Sequence, residues 1–323
     1  MLETNILQRG ILLDAASLDA NDMDFSGLRA EISEFTARSL TSASELKDVL
    51  PGMHLVITNK VRLDRQALQN NPQLRLICVT ATGTNNIDLV AARELGIAVC
   101  NVRAYATSSV VQHVFALMLS MTVRLTEIQS AINAGEWSRS PHFSLLHYPI
   151  HELAGKTLGI IGYGELGQAV ARVAECFGMR ILVAQNNKSD QRAGRLALQD
   201  LLPQVDVLSI HCPLTDETVN LIGDVELRLM KSSALLINTA RGGIVNEQAL
   251  LHALQNRRIA GAALDVLSIE PPPENHILMQ YKQPNLIITP HVAWASRESR
   301  QRCLNEVVLN IRAFKRGELR NRV

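Results

Sequence analysis

Short apolar runs of strand length recur along this chain with helical patterns between them, and that alternation restricts the fold more than any other feature of the sequence. Runs at residues 11–13, 55–58, 74–80 and 97–100 are followed by others at 158–161, 181–184, 205–210, 235–238, 260–264 and 286–289. Strands spaced by helices pair in parallel, since the crossover returns each strand to the same end of the sheet. The expected class is α/β, with two doubly wound parallel sheets. A chain of 323 residues is long enough for two such domains. The segment 296–315 is amphipathic but comes too late in the chain for the second sheet. It is expected to return to the first, so that residues 1–101 and 292–323 form one domain and residues 102–291 the other, with a cleft between.

Residues 108–122 form a nearly all-round apolar helical pattern that must be buried on most sides. The following stretch to residue 151 is mixed, with Trp137, Phe143 and Tyr148 among polar residues. It suits an arm, about residues 119–151, that packs on a second subunit.

Thirty-two basic residues against thirty-one acidic ones leave a net charge of +1, so no overall field recruits nucleic acid or an anionic membrane. The first apolar stretch, residues 10–13, stops at Asp14, which argues against a signal peptide and makes cytoplasm the expected location. Five cysteines are scattered without a C-x-x-C pair, against both a disulfide framework and a thiolate cluster. His142, His147 and His151 have helical spacing, but Pro149 interrupts the helix, so no metal site is expected.

Gly162-Tyr163-Gly164-Glu165-Leu166-Gly167 directly follows the strand pattern TLGII and opens a helical run ending near Phe177. In that context Gly162 makes the tight turn, Gly164 lets backbone approach a pyrophosphate, and Gly167 packs helix on strand. The free N–H groups of the helix start then suit phosphates. An acid at the end of the next strand would ordinarily hold the adenosine ribose of NAD. Gln185 stands there, with Lys188, Arg192 and Arg195 following, so both NAD and NADP are expected to bind, with a lean to NADP.

Three further strand ends carry groups able to bind and protonate an anionic carbonyl substrate. Arg241 follows LLINTA on a glycine turn, where its fork can take a carboxylate. Glu270 follows the strand GAALDV, and His291 follows NLIITP. A carboxylate beside an imidazole favours its charged, proton-giving form. His113 reads as a buried helix contact, and His211 as the wall of a cofactor pocket.

The phrases GKTLGIIGYGELG, HCPLTDET, LLINTARGGIVNEQAL, GAALDVLSIEPPP and ITPHVAWAS resemble the D-2-hydroxyacid dehydrogenases, and the likeness runs over nearly the whole chain. TATGTNNID and CNVRAYATSSVVQHVFALML are most similar to the glycerate dehydrogenase and hydroxypyruvate reductase branch. The resemblance implies a Rossmann-type cofactor domain, a smaller flavodoxin-like substrate domain and a homodimer. It implies reduction of a small 2-keto acid to a D-2-hydroxy acid, with Arg241 on the carboxylate, His291 as acid and Glu270 as its support. Thr82, Gly83 and Thr84 would contact the substrate carboxylate, Thr239, Ala240 and Asp265 the nicotinamide half, and Cys212, Pro213 and Thr218 the adenosine side. Trp294, close after His291, is placed to limit substrate size. Formate dehydrogenases share the architecture but typically carry glutamine where this chain has Glu270, and corepressor-like scaffolds carry additions that are not evident here.

Overall fold

The computed structural model describes residues 7–186, 190 and 192–323. The chain divides into two compact units, Met1–Ala106 with Ala295–Val323, and Thr107–Trp294.

In the first unit, β1 (Arg9–Leu12), β2 (Glu34–Ala37), β3 (Leu55–Thr58), β4 (Leu76–Val79) and β5 (Ala98–Cys100) form a parallel sheet in the order β2-β1-β3-β4-β5. β3 and β4 are buried at every residue, so they read as uninterrupted apolar runs. β2 is missing from the expected set because it is an edge strand of sequence EFTA, mostly exposed, with no run to detect. The C-terminal helix Arg297–Lys315 turns Cys303, Leu304, Val307 and Ile311 inward within this unit. Arg300 forks onto Asp22 with both bonds at 2.7 Å, and Asn310 Nδ2 donates to the Asn101 carbonyl at 2.9 Å. These contacts fasten the helix to loops some two hundred residues or more earlier in the chain.

In the second unit, seven parallel strands run in the order β12-β11-β10-β9-β6-β7-β8. They are β6 (Thr157–Ile161), β7 (Arg180–Ala184), β8 (Arg195–Leu196), β9 (Val207–Ile210), β10 (Leu235–Asn238), β11 (Gly261–Leu264) and β12 (Leu286–Ile288). The chain leaves β6 for β7 on one side and then crosses back to β9 on the other, which opens a crevice at the carboxyl ends of β6 and β9. β8, two residues long and polar at Arg195, is the second strand without an apolar signal. The core under the sheet is built from Leu201, Leu208, Leu236, Leu250 and Ala262.

The helix Thr107–Thr122 packs on the helix Glu165–Cys176, with Phe115 stacked on Phe177 at 5.3 Å. After it come the helices Leu125–Asn133 and Glu136–Arg139, and then a loop on which Phe143 and Leu146 are 92% and 87% exposed. His147 pairs there with Glu136 at 2.5 Å. Among the described residues no three His, Cys, Asp or Glu side chains gather as a metal site, and no single helix is long and apolar enough to cross a membrane.

The turn from β6 into the helix Glu165–Cys176 depends on bare backbone. Gly162 has φ 89°, and a Cβ on it would lie 2.5 Å from the Cys212 nitrogen. A Cβ on Gly167 would lie 2.2 Å from the Gly162 carbonyl oxygen. Gly167→Ala must therefore push the helix off the strand, and a loss of about 1–3 kcal/mol is expected from such overpacking. Thermal unfolding measures it; an unchanged Tm would show that the helix shifts freely.

Candidate active site

The registers Asn238↔Leu264 and Leu264↔Ile288 bring the carboxyl ends of β10, β11 and β12 level, and the three chemically loaded turns leave from that edge. Arg241 follows β10. Its guanidinium donates to the Ala240 carbonyl at 2.7 Å, is exposed, and pairs with no carboxylate among the described residues. The turn beneath it is stapled by Asn238, whose side chain accepts from Ala240 N at 3.0 Å and donates to the Arg241 carbonyl at 2.9 Å.

Glu270 lies beyond β11. One carboxylate oxygen accepts from Leu267 N at 2.9 Å and the other meets His291 Nδ1 at 2.6 Å. With Nδ1 engaged, Nε2 is the ring nitrogen left to exchange a proton with a substrate. The Arg241 and Glu270 turns also interlock: a Cβ on Gly242 would fall 1.8 Å from the Leu267 carbonyl oxygen, so the two backbones touch where no side chain fits.

His291 sits beyond β12 with φ 54°, a left-handed conformation that costs of order 1 kcal/mol or more in a non-glycine residue. Asp265, at the end of β11, holds it there. The Asp265 carbonyl accepts from His291 N at 2.8 Å, and its carboxylate takes Val292 N at 2.9 Å and Ala293 N at 2.8 Å. Thr289 Oγ1 donates to the same carboxylate at 2.5 Å, and His113 Nε2 lies 2.9 Å from that hydroxyl and 3.4 Å from Asp265 Oδ1. Burial alone would push the Asp265 carboxyl up, but the donors from His113, Thr289, Ala293 and Val292 outweigh it and hold it below its ordinary range. His113 is thus no mere helix contact. Half-buried, it connects the helix Thr107–Thr122 to the turn that carries His291, a link spanning 176 residues that no local pattern announces. Trp294 donates its indole N–H to the His291 carbonyl at 2.9 Å.

The glycine turn occupies the crevice edge of the same sheet. Gly164 is exposed and a Cβ there would meet nothing within 4 Å, so its backbone is open to approach. Glu165 accepts from Thr107 Oγ1, and Leu166 is half-buried beside it. Thr239 and Ala240 are buried, and Thr239 Oγ1 has no partner among the described residues. This orphaned hydroxyl and the open glycine cradle fit a nicotinamide dinucleotide. His211 bonds Ser209 Oγ at 2.8 Å through Nε2, and burial pushes it down to about 4, so it stays neutral at pH 7. Burial pushes the Cys212 thiol up to about 11. Pro213 and Thr218 share one turn, the hydroxyl donating to the Pro213 carbonyl at 2.7 Å.

Gln185 follows β7, its N–H on the Leu196 carbonyl at 2.8 Å. Lys188 lies outside the described residues. Arg192 forks onto Asp190 with both bonds at 2.7 Å and holds that carboxyl well below the usual range. Arg195 reaches Asn186 Oδ1 and Asp190, and lies 6.0 Å over the Tyr163 ring. In the other unit, Thr82 and Gly83 are exposed and Thr84 half-exposed on the loop after β4, with Asn101 Nδ2 donating to the Thr82 carbonyl at 2.8 Å.

The model of the NAD-binding domain of D-isomer-specific 2-hydroxyacid dehydrogenases matches residues 115–293. The chain is similar to the glycerate dehydrogenase of Methylorubrum extorquens, 42% identical with 96% of this chain and 97% of that protein covered. It is also similar to the hydroxypyruvate reductase of Blautia hydrogenotrophica, 36% identical with 95% and 97% covered. Among solved structures, the TT0316 protein of Thermus thermophilus superposes with a TM-score of 0.86 at 34% identity, over 98% of this chain and all of that one.

The donors around Asp265 make it a stability group with a definite pH signature. Its folded carboxyl lies below the ordinary value of about 3.9, so its contribution is present above that pH and is lost as pH falls through the folded value. Asp265→Asn turns an amide N–H₂ toward one of these donors and is expected to cost about 1–3 kcal/mol at pH 7. The gap to wild type should narrow between pH 7 and pH 3. Denaturant unfolding at both values measures it, and a gap independent of pH would show that the carboxylate charge contributes nothing.

Proposed function

The chain belongs to the D-isomer-specific 2-hydroxyacid dehydrogenase family, and on that premise we propose that it reduces a 2-keto acid of glyoxylate or hydroxypyruvate size to the D-2-hydroxy acid. The observation that carries this reading is the His291–Glu270 pair at 2.6 Å on a strand end level with that of Arg241, whose guanidinium meets no carboxylate among the described residues. A keto acid presents a carboxylate and a polarised oxygen. Arg241 can fork onto both, and the cation stabilises charge developing on the oxygen. His291, oriented by Glu270 through Nδ1, gives its Nε2 proton to that oxygen. The glycine turn, Thr239 and Ala240 would hold the dinucleotide, whose reduced nicotinamide supplies the hydride. The donors of Thr82, Gly83 and Thr84 are proposed contacts of the substrate carboxylate, and Trp294, pinned to His291, favours a short substrate. The exposed Phe143 and Leu146 support an arm that pairs with a second copy.

Activity with NAD(P)H and a panel of keto acids tests the reading. Glyoxylate and hydroxypyruvate should rank above phenylpyruvate, and Arg241→Ala should lose roughly a thousandfold or more in kcat/KM by removing both contacts. Arg241→Lys recovers only part, lacking the fork. Near-normal turnover of Arg241→Ala would sink the assignment.

For the cofactor, we infer use of both NADH and NADPH with a lean to NADPH. Gln185 offers no charge to repel a 2'-phosphate, and the nearby Asp190 carboxylate is taken up by Arg192 and Arg195. Gln185→Asp should shift the ratio of efficiencies toward NADH by roughly tenfold, and Arg195→Ala should weaken NADPH more than NADH. A strictly NADH-specific wild type whose ratio Gln185→Asp leaves unmoved would refute this.

A further inference from the structure

Behind Glu270 lies a second carboxylate that the chemistry above does not use. Glu247 opens the helix Glu247–Gln255, whose start Asn246 caps by accepting Ala249 N at 2.9 Å. It is largely buried and gathers three donors. Ser268 N reaches one oxygen at 2.7 Å, while Ser268 Oγ at 2.8 Å and His276 Nε2 at 3.0 Å reach the other. His276 is itself buried, and its Nδ1 is sealed without a partner among the described residues. That arrangement suits the tautomer with the proton on Nε2, because a second ring N–H would be buried with nothing to accept it.

The position of these bonds gives them meaning. Ser268 and His276 bracket the loop that carries Glu270, and Ser268 is the next residue after Leu267, whose N–H binds the Glu270 carboxylate. The same peptide is pressed from the other side by Gly242, where added atoms would fall 1.8 Å from the Leu267 oxygen and 2.6 Å from Ser268 N. The Leu267–Ser268 peptide is therefore gripped between the Arg241 turn and the helix that follows it. We propose that Glu247 is a positioning residue for the His291–Glu270 pair: through Ser268 and His276 it sets the turn that brings the Glu270 carboxylate to 2.6 Å from the imidazole. Without it, Ser268 N–H and His276 lose their acceptor, the turn slackens, and the short bond lengthens. The group that orients the proton donor is thus held by the strand-turn-helix that also presents the substrate-binding arginine.

The test reads the short bond directly and rests on the reductase reading only in its kinetic arm. A hydrogen bond of this length between an imidazole N–H and a carboxylate gives a downfield proton resonance, assigned by its disappearance in Glu270→Gln. In Glu247→Ala this resonance should be lost or move upfield, and kcat for keto acid reduction should fall at least tenfold with KM changed less than threefold. Glu247→Gln should restore both in part: its amide oxygen still accepts from Ser268 N, while its N–H₂ can donate to Ser268 Oγ but no longer accepts from His276 Nε2. If Glu247→Ala does not fold, Glu247→Asp, one methylene too short to reach all three donors, carries the comparison. A folded variant with wild-type resonance and wild-type kcat overturns the proposal and leaves Glu247 a loop staple. If the resonance vanishes in a protein that reduces no keto acid, the positioning role stands and the substrate reading falls.

Discussion

Removing a carboxylate from water is costly unless donors surround it, and the donors that gather around Asp265 are the ones that shape the carboxyl edge of the larger sheet. Two of them are backbone N–H groups of Val292 and Ala293, so satisfying the charge bends the chain directly after His291. A third comes from the Thr289 hydroxyl and a fourth from His113 on a helix far away in sequence. The left-handed His291 is thus the place where β11, β12 and the helix Thr107–Thr122 agree on one geometry. Strain at that residue is maintained by the contacts of its neighbours.

A second constraint is steric. At Gly162 and Gly167 the turn out of β6 closes on backbone atoms, and at Gly242 the Arg241 turn closes on the Glu270 turn. These approaches leave no slack in the crevice edge. Polar side chains then finish what the glycines begin: Asn238 staples the Arg241 turn, Glu247 grips Ser268, and Glu270 folds back on Leu267. Each of these side chains bonds to backbone, which is how a loop acquires the rigidity of a strand.

Much of this was legible in the residues. Buried parallel strands are apolar on both faces, so β3, β4, β6 and β9 declare themselves, and Arg241, Glu270 and His291 stand out as chemistry placed at strand ends. β2 and β8 do not, because EFTA and RL at sheet edges need no apolar run. The roles of His113, Glu247 and His276 were hidden for a different reason: each depends on contacts 21 or more residues away along the chain, where local period and composition carry no information. Charge counting near Gln185 was also incomplete, since Asp190 engages Arg192, a cation that sequence order alone leaves free.

The indole of Trp294 is bonded to the carbonyl of His291 itself, which ties an optical property of the protein to the candidate site. The chain has two tryptophans, and the other, Trp137, is half-exposed on the segment after the long apolar helix. Light absorbed by Trp294 is therefore emitted from a ring whose polarity and hydrogen bonding follow the turn that carries the imidazole. With Trp137 replaced by phenylalanine, the protein would hold a single tryptophan whose emission colour and lifetime track that turn in solution, without any label.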